Sequence, residues 1–442
     1  MPQAVYHFPR GFLWGAATAA HQVEGGNTNN NWSAWEEQPG HIKQGHRSGL
    51  ACDWWGGRWK EDLDRAAETG QNAHRFSVEW SRVQPTPDHW DEHAIDYYRE
   101  ILRGMVSRGI TPLVTLHHFT DPLWLMEQGG WENDETPGRF ARFVEKVVEA
   151  FKEYATLWTT INEPNVYFYF GYVDGVFPPG KKDLKAAFHV LLNLVRGHTL
   201  AYRAIHTIQP EARVGFALNY RSFVPQTAWS PLDKFQARLR FSAYNESFSN
   251  ALLTGHVRLP GHAARLRDAI GTQDYFGLNY YTRDLVAFDL RCPRQLFARS
   301  SYPPGAALSE TGFLANVPAG LFEALRWARR FEVPIIITEN GWEDSDDTNR
   351  PRYLVEHLHQ VWRAVNYTWP IKGYFHWSLV DNFEWERGWT QRFGLWGLDV
   401  DTQARIRRPS VDLYAAICRE NGISSEMVAR YAPQALPLLF PE

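Results

Sequence analysis

Short apolar runs alternate with longer amphipathic stretches along nearly the whole chain. Eight runs rich in β-branched and aromatic residues read as strands: 12–18, 73–80, 111–118, 157–162, 213–219, 275–281, 334–339 and 371–378. Between them, apolar residues recur at helical spacing over 58–69, 91–108, 138–155, 184–208, 232–254, 318–331, 351–366 and 409–420. Pro318 and Pro409 stand where the first turn of a helix tolerates proline, and Gly255 and the Asn421-Gly422 pair read as helix stops. Strict strand–helix alternation predicts a parallel sheet with crossover helices, and eight units predict closure into an α/β fold of the (β/α)8 TIM-barrel type. The alternative is an open doubly wound sheet. That sheet wants a phosphate-cradling glycine loop after its first strand, where this chain has "GAATAAHQVEGG".

A length of 442 residues suggests several domains, yet α/β barrels often run this long as one. The expectation is a single domain over 1–442, with a barrel core at about 8–420 and Gly/Pro/polar-rich loops at 25–57, 174–183 and 283–312. The tail 421–442 is expected to pack on the barrel or to serve a subunit contact in a homo-oligomer.

Composition narrows the function. Lys plus Arg is 46 against 50 Asp plus Glu, so the balance of −4 gives no footprint for nucleic acid or an anionic membrane surface, and neither is expected as a partner. Three scattered cysteines carry neither a disulfide framework nor metal-ligand spacing. The start "MPQAVYHFPRGFLWG" has no basic-then-apolar leader, and no run nears the ~18–20 apolar residues of a membrane span, so a reducing, cytoplasmic location is expected. Aromatics make up 15% of the chain, with 20 Trp. A tryptophan-rich core explains that, and so do rings stacked on the faces of sugars.

In a TIM barrel the active site lies at the C-terminal strand ends. Here those ends carry His21, Gln22 and Glu24; Arg75 and Glu79; His117 and His118; Asn162 and Glu163; Asn219 and Tyr220; Asn279 and Tyr281; Glu339 and Asn340; and Trp377. Glu163 and Glu339 end strands four and seven, nearly across the ring from each other. Two carboxyl groups across a cleft are what glycoside cleavage requires, one protonated to serve the leaving oxygen and one ionised. That chemistry calls for no metal and no cofactor. In "LWTTINEPN" (157–165), Pro164 is expected to hold Glu163 in extended geometry. Each residue also has a plain structural reading: Glu163 as a solvated loop carboxylate, Arg75 as an ion-pair partner of Glu79, Asp53 and Asp381 as loop anchors.

"TINEPN" (160–165) and "ITENG" (337–341) resemble the two signature motifs of glycoside hydrolase family 1, the retaining β-glucosidase family. "FLWGAATAAHQVEG" (12–25), "HRFSVEWSRV" (74–83), "GLNYYT" (277–282) and "WSLVDNFEWERGW" (377–389) are similar to further family blocks, in the family's order. The resemblance implies that Glu163 is the general acid/base and Glu339 the nucleophile, with carboxyl groups roughly 5–5.5 Å apart. It implies that Asn162 holds the sugar 2-OH, that Arg75 and Tyr281 support the nucleophile, and that Asn279 is a secondary polar contact. Gln22, His118, Glu384 and Trp385 would clamp the terminal sugar on a Trp377 platform, with His117 pointing outward and Trp377–Ser378 cis. The implied partners are small β-glucosides or short β-linked oligosaccharides. Two positions depart from the common pattern: Phe119 stands where many relatives have Trp, and Gly312-Phe313 where many have Gly-Trp. Trp124 and Trp327 have no assigned place.

Overall fold

The computed structural model describes residues 4–441. Eight parallel strands close on themselves: β1 (Leu13–Ala17), β2 (Ala73–Ser77), β3 (Thr111–Thr115), β4 (Leu157–Asn162), β5 (Arg213–Pro225), β6 (Tyr275–Phe288), β7 (Ile335–Asn340) and β8 (Ile371–Trp377). Each pairs with its sequence neighbours, β8 returns to β1 through Gly373 opposite Leu13, and β5 pairs with β6 over most of its length. No edge is left for an open sheet. β7 is buried at every residue, as a strand covered on both faces by barrel interior and helices should be.

The outer ring is α1 (Trp59–Glu68), α2 (Glu92–Ser107), α3 (Thr136–Phe151), α4 (Leu184–Ile208), α5 (Pro231–Phe241), α6 (Pro318–Ala328), α7 (Arg350–Asn366) and α8 (Pro409–Glu420). α3 shows the logic: Phe140, Phe143, Val144, Val147, Val148 and Phe151 fall on one face and are all buried. Pro318 and Pro409 open their helices as expected, and Gly255 and Asn421 take the left-handed conformation that ends a helix.

Three expectations need correction. The helix expected over 232–254 is broken: α5 ends at Phe241, a π-turn covers Ser242–Glu246, and a separate short helix runs Ser249–Thr254. β5 and β6 are longer than expected, and Ala298–Ser301 returns antiparallel along β6, so part of the presumed loop 283–312 is a ribbon. β2 stops at Ser77, because Trp80–Val83 turns into a helix just beyond it.

The opposite end of the barrel is closed by both chain ends. Val5–His7 pairs antiparallel with Gly422–Ser424. Asn421 accepts from the Trp14 indole at 2.9 Å and donates to the Phe8 carbonyl at 2.8 Å. Tyr6 stacks between Trp362 of α7 and Phe440 of the tail.

Beyond the C-terminal ends of the strands, Asp381 anchors the loop after β8. It receives both terminal nitrogens of Arg408, at 2.8 and 2.9 Å, and the Gly394 amide at 2.8 Å. Asp381→Ala strands a buried guanidinium and should destabilise the fold by about 3–5 kcal/mol. Urea denaturation read by far-UV circular dichroism checks this; an unchanged midpoint would show the pair to be dispensable.

Candidate active site

The polar groups at the strand ends converge because register brings them level. Asn219 lies opposite Asn279, and Glu339 lies opposite Asn279 on the other side. Register shifts fall between Thr159 and Asn162 on β4 and between Ile337 and Glu339 on β7, where the two carboxylate segments begin. Bulges of this kind re-aim side chains at functional ends of strands.

Arg75, fully buried, organises the floor. Its Nη1 donates to Glu339 Oε1 at 2.6 Å, its Nη2 to Asn162 Oδ1 at 2.6 Å and its Nε to Thr115 at 3.0 Å. It does not pair with Glu79, which instead accepts from Ser81 and Thr120. The second oxygen of Glu339 accepts from the Tyr281 hydroxyl at 2.7 Å. Glu163 is held differently. Asn219 and Asn279 both donate to its Oε1 at 2.8 Å, leaving Oε2 to the cleft.

These surroundings separate the two carboxyls. Burial, reinforced by the charge of Glu339, raises Glu163 to about 8, against weaker pulls from Asn279, Asn219 and Arg75. Burial also raises Glu339, but the Arg75 guanidinium and the Tyr281 hydroxyl oppose it. One carboxyl is thus met only by neutral amides, the other by a cation.

Glu163 does not have the extended backbone expected before Pro164. Its φ of 45° and ψ of 57° lie in the left-handed region, and Pro164 opens the short helix Pro164–Tyr169. The geometry is imposed from outside: the Glu163 amide donates to Ala217 at 2.7 Å while two asparagines grip the side chain. Phe119 and Trp385, which also line the cleft, have φ of 68° and 50°. Non-glycine residues pay strain for positive φ, and they persist where surroundings over-determine them.

A cleft of ≈ 660 Å³ opens above the carboxylates. His118, Glu163, Tyr281, Glu339, Trp377, Glu384 and Trp385 line it. Arg75, Asn162 and Asn279 sit just behind the two carboxylates rather than on its wall. Gln22 lies beneath Glu384, donating to the Phe383 carbonyl at 2.7 Å and to Glu384 at 3.3 Å. Trp377 also donates to Glu384, at 3.4 Å, and its bond to Ser378 is cis. Enclosure in the cleft raises the Glu384 carboxyl well above its ordinary value.

The orientation of His118 follows from its partner. Arg75 donates to Asn162 Oδ1, so Asn162 Nδ2 is the atom facing His118, at 2.9 Å. An amide nitrogen only donates, so His118 Nε2 accepts and Nδ1 carries the proton. Burial, with Arg75 and His117 nearby, holds the ring well below its usual value and therefore neutral. The buried Nδ1 of His118 and Oε1 of Gln22 have no partner among the described residues. His117 faces the helix layer, bonded to Asp121 at 3.1 Å and packed on Trp131 and Tyr167. Trp124 packs on Trp80, and Trp327 on Tyr220 and Phe276, both away from the carboxylates.

Sequence reasoning assigned no role to Asn219, although its place at the end of a strand was the available signal. It did not find Tyr244, which donates to Asn219 at 3.2 Å. Tyr244 comes from the π-turn inside the expected helix 232–254. Phe313 and Arg387 form one wall of the mouth, the guanidinium 4.9 Å from the ring. Among the described residues, no group of three or more His, Cys, Asp or Glu is placed to hold a metal ion.

Known proteins resemble this chain in sequence and in fold. The chain is 32% identical to a 1,4-beta-D-glucan glucohydrolase of Thermotoga neapolitana, over 94% of this chain and 99% of the relative. A beta-glycosidase from Pyrococcus horikoshii superposes with a TM-score of 0.90 at 35% identity, covering 97% of this chain and 98% of that one. A beta-glucosidase from Thermotoga maritima in complex with glucoimidazole superposes with a TM-score of 0.89 at 32% identity, covering 95% and 100%. The model of glycosyl hydrolase family 1 matches residues 5–423, from the first terminal strand to the last, and the chain belongs to that family.

Proposed function

We propose that this family 1 enzyme is a retaining, exo-acting β-glycosidase that removes terminal β-D-glucosyl residues, and also β-galactosyl and β-fucosyl residues. The observation that carries the reading is the unequal treatment of two facing carboxyls. Glu163 is surrounded so as to keep a proton, whereas Glu339 alone is bonded to a cation and a phenolic hydroxyl, which favour its ionised form against burial. Relatives named 1,4-beta-D-glucan glucohydrolase and beta-glucosidase, the latter in complex with glucoimidazole, support a glycoside substrate.

Glu339 attacks the anomeric carbon as the bond to the glycosidic oxygen breaks, and Glu163 delivers its Oε2 proton to that oxygen. The aglycone departs as an alcohol, leaving a glycosyl ester on Glu339. Glu163, now ionised, takes a proton from water, whose oxygen displaces Glu339 and frees the sugar with the β configuration. Arg75 and Tyr281 stay bonded to Glu339 and stabilise it as leaving group. Asn162, its carbonyl occupied by Arg75 and one amide hydrogen by His118, has its second amide hydrogen for the sugar 2-OH. The unpartnered Nδ1 of His118 and Oε1 of Gln22 suit ring hydroxyls, and Glu384 accepts from the 4-OH and 6-OH. Glu384 offers a 6-phosphate no cation, and in its ionised form it repels that group. The same groups serve transglycosylation when a sugar or alcohol takes the place of water.

A panel of aryl β-glycosides, with the product anomer followed by NMR, tests this directly. β-Glucose should appear first, and kcat/KM for the glucoside should exceed that for its 6-phosphate; α-glucose first would make the enzyme inverting. Glu339→Gly should remove turnover of even an activated aryl glucoside with circular dichroism unchanged. Glu163→Ala should cost about 10²–10⁴-fold on alkyl glucosides and far less on aryl glucosides with good leaving groups. Equal losses on both would deny Glu163 its proton-donating role.

The pH profile follows from the same assignment. The first step needs protonated Glu163, so kcat/KM should fall as pH rises through about 8. Asn219→Ala deletes a hydrogen bond that favours the ionised form, so this limb should move to higher pH. A limb that moved lower would place the titration elsewhere.

A further inference from the structure

α5 is built inside out. Its buried residues are Asp233, Gln236 and Ala237, while Leu232 and Phe235 stand in solvent with Trp229 just before them. Trp229 is 83% exposed and Phe235 61%. Leu232 and Phe235, three apart, share one face of the helix, and Trp229 stands just ahead of its first turn. Polar contacts explain the inversion. Asp233 accepts from the amides of Phe288 at 2.9 Å and Thr227 at 3.1 Å, and Gln236 donates to the Leu296 carbonyl at 3.0 Å. The helix is thereby strapped to the β6 ribbon by its polar side. The tip of that ribbon carries more exposed apolar side chains, Leu290 at 72% among them, with Leu296 and Phe297.

The charges in this patch have one sign left over. Asp233 is taken by backbone amides, and Asp289 by Arg291 and Arg299. Among the described residues, Lys234 and Arg238 have no acidic partner, and they flank Phe235 on the same helix. Apolar patches that monomers leave exposed mark contact surfaces. Trp, Phe and Leu framed by free Lys and Arg match an anionic lipid interface, where rings and leucines enter the acyl boundary and the cations meet headgroups. A second copy of the chain would set Lys234 and Arg238 against their own kind. A neutral polysaccharide would make no use of them.

We infer that the Trp229–Arg238 segment and the tip of the β6 ribbon form a docking surface for anionic lipid bilayers. The net charge of −4 conceals it, because the acids that balance the total lie elsewhere. β5 and β6 run past Asn219 and Asn279 before reaching this surface, so it stands on the side of the barrel where the cleft opens. Contact there would be peripheral, since no described helix is long and apolar enough to cross a membrane.

Flotation of the whole protein with vesicles decides the matter. The protein should float with vesicles of phosphatidylcholine plus phosphatidylglycerol, and high salt or phosphatidylcholine alone should weaken this. Trp229→Ala with Phe235→Ala, and separately Lys234→Glu with Arg238→Glu, should each reduce binding on the order of tenfold. Turnover of a soluble aryl glucoside should be unchanged in both. No flotation, or flotation equal in the variants, overturns the proposal. So does a concentration-dependent dimer, seen by sedimentation velocity, that Trp229→Ala with Phe235→Ala abolishes in place of vesicle binding. Capture on insoluble β-glucan that the same variant alone loses would make it a sugar surface instead, and equally overturns it.

Discussion

A guanidinium sealed inside the barrel needs an anion, and Arg75 has Glu339. That constraint organises everything around it. A buried cation with one partner removed costs several kcal/mol, so the pair fixes the ends of β2 and β7 relative to each other. The remaining nitrogens of Arg75 reach Asn162 and Thr115, which ties in β4 and β3. Asn162 then orients His118, and Asn279 links Asn162 to Glu163. A single fork thus sets four strand ends, one ring orientation and the charge seen by the opposite carboxyl.

The outer parts of the barrel are built on apolar periodicity, and these were legible. The strand runs, the helix starts at Pro318 and Pro409, and the stop at Gly255 each follow from a local rule that tertiary structure did not override. The carboxylates were legible because strand ends in a TIM barrel face one place. The tryptophans divide between both readings. Trp14, Trp32, Trp80, Trp131, Trp158 and Trp342 are fully buried, whereas Trp377 and Trp385 line the cleft.

What the sequence hid has physical reasons. The backbone of Glu163 is set by Ala217, Asn219 and Asn279, none of them near it in sequence, so a local rule about proline pointed the wrong way. Tyr244 reached the site through a π-turn, which shifts the helical period and cannot be read from apolar spacing. α5 shows a further limit. Periodicity identifies a helix with two unlike faces, but which face is covered depends on the partner, and here the ribbon offers backbone groups for Asp233 and Gln236 to satisfy.

Closure of the barrel through β8 and β1 has a temporal meaning. On the ribosome the chain emerges from its N-terminus, so β1 has β2 beside it early but must wait for residues 371–377 to gain its other neighbour. The terminal strand Val5–His7 waits longer still, for Gly422–Ser424. Until then β1 and the newest strand present unpaired backbone N–H and C=O groups, the edges on which unwanted pairing starts. Once folding is complete, Val5–His7 and Gly422–Ser424 lie side by side, so a short linker could join these two strands and a new start be cut elsewhere.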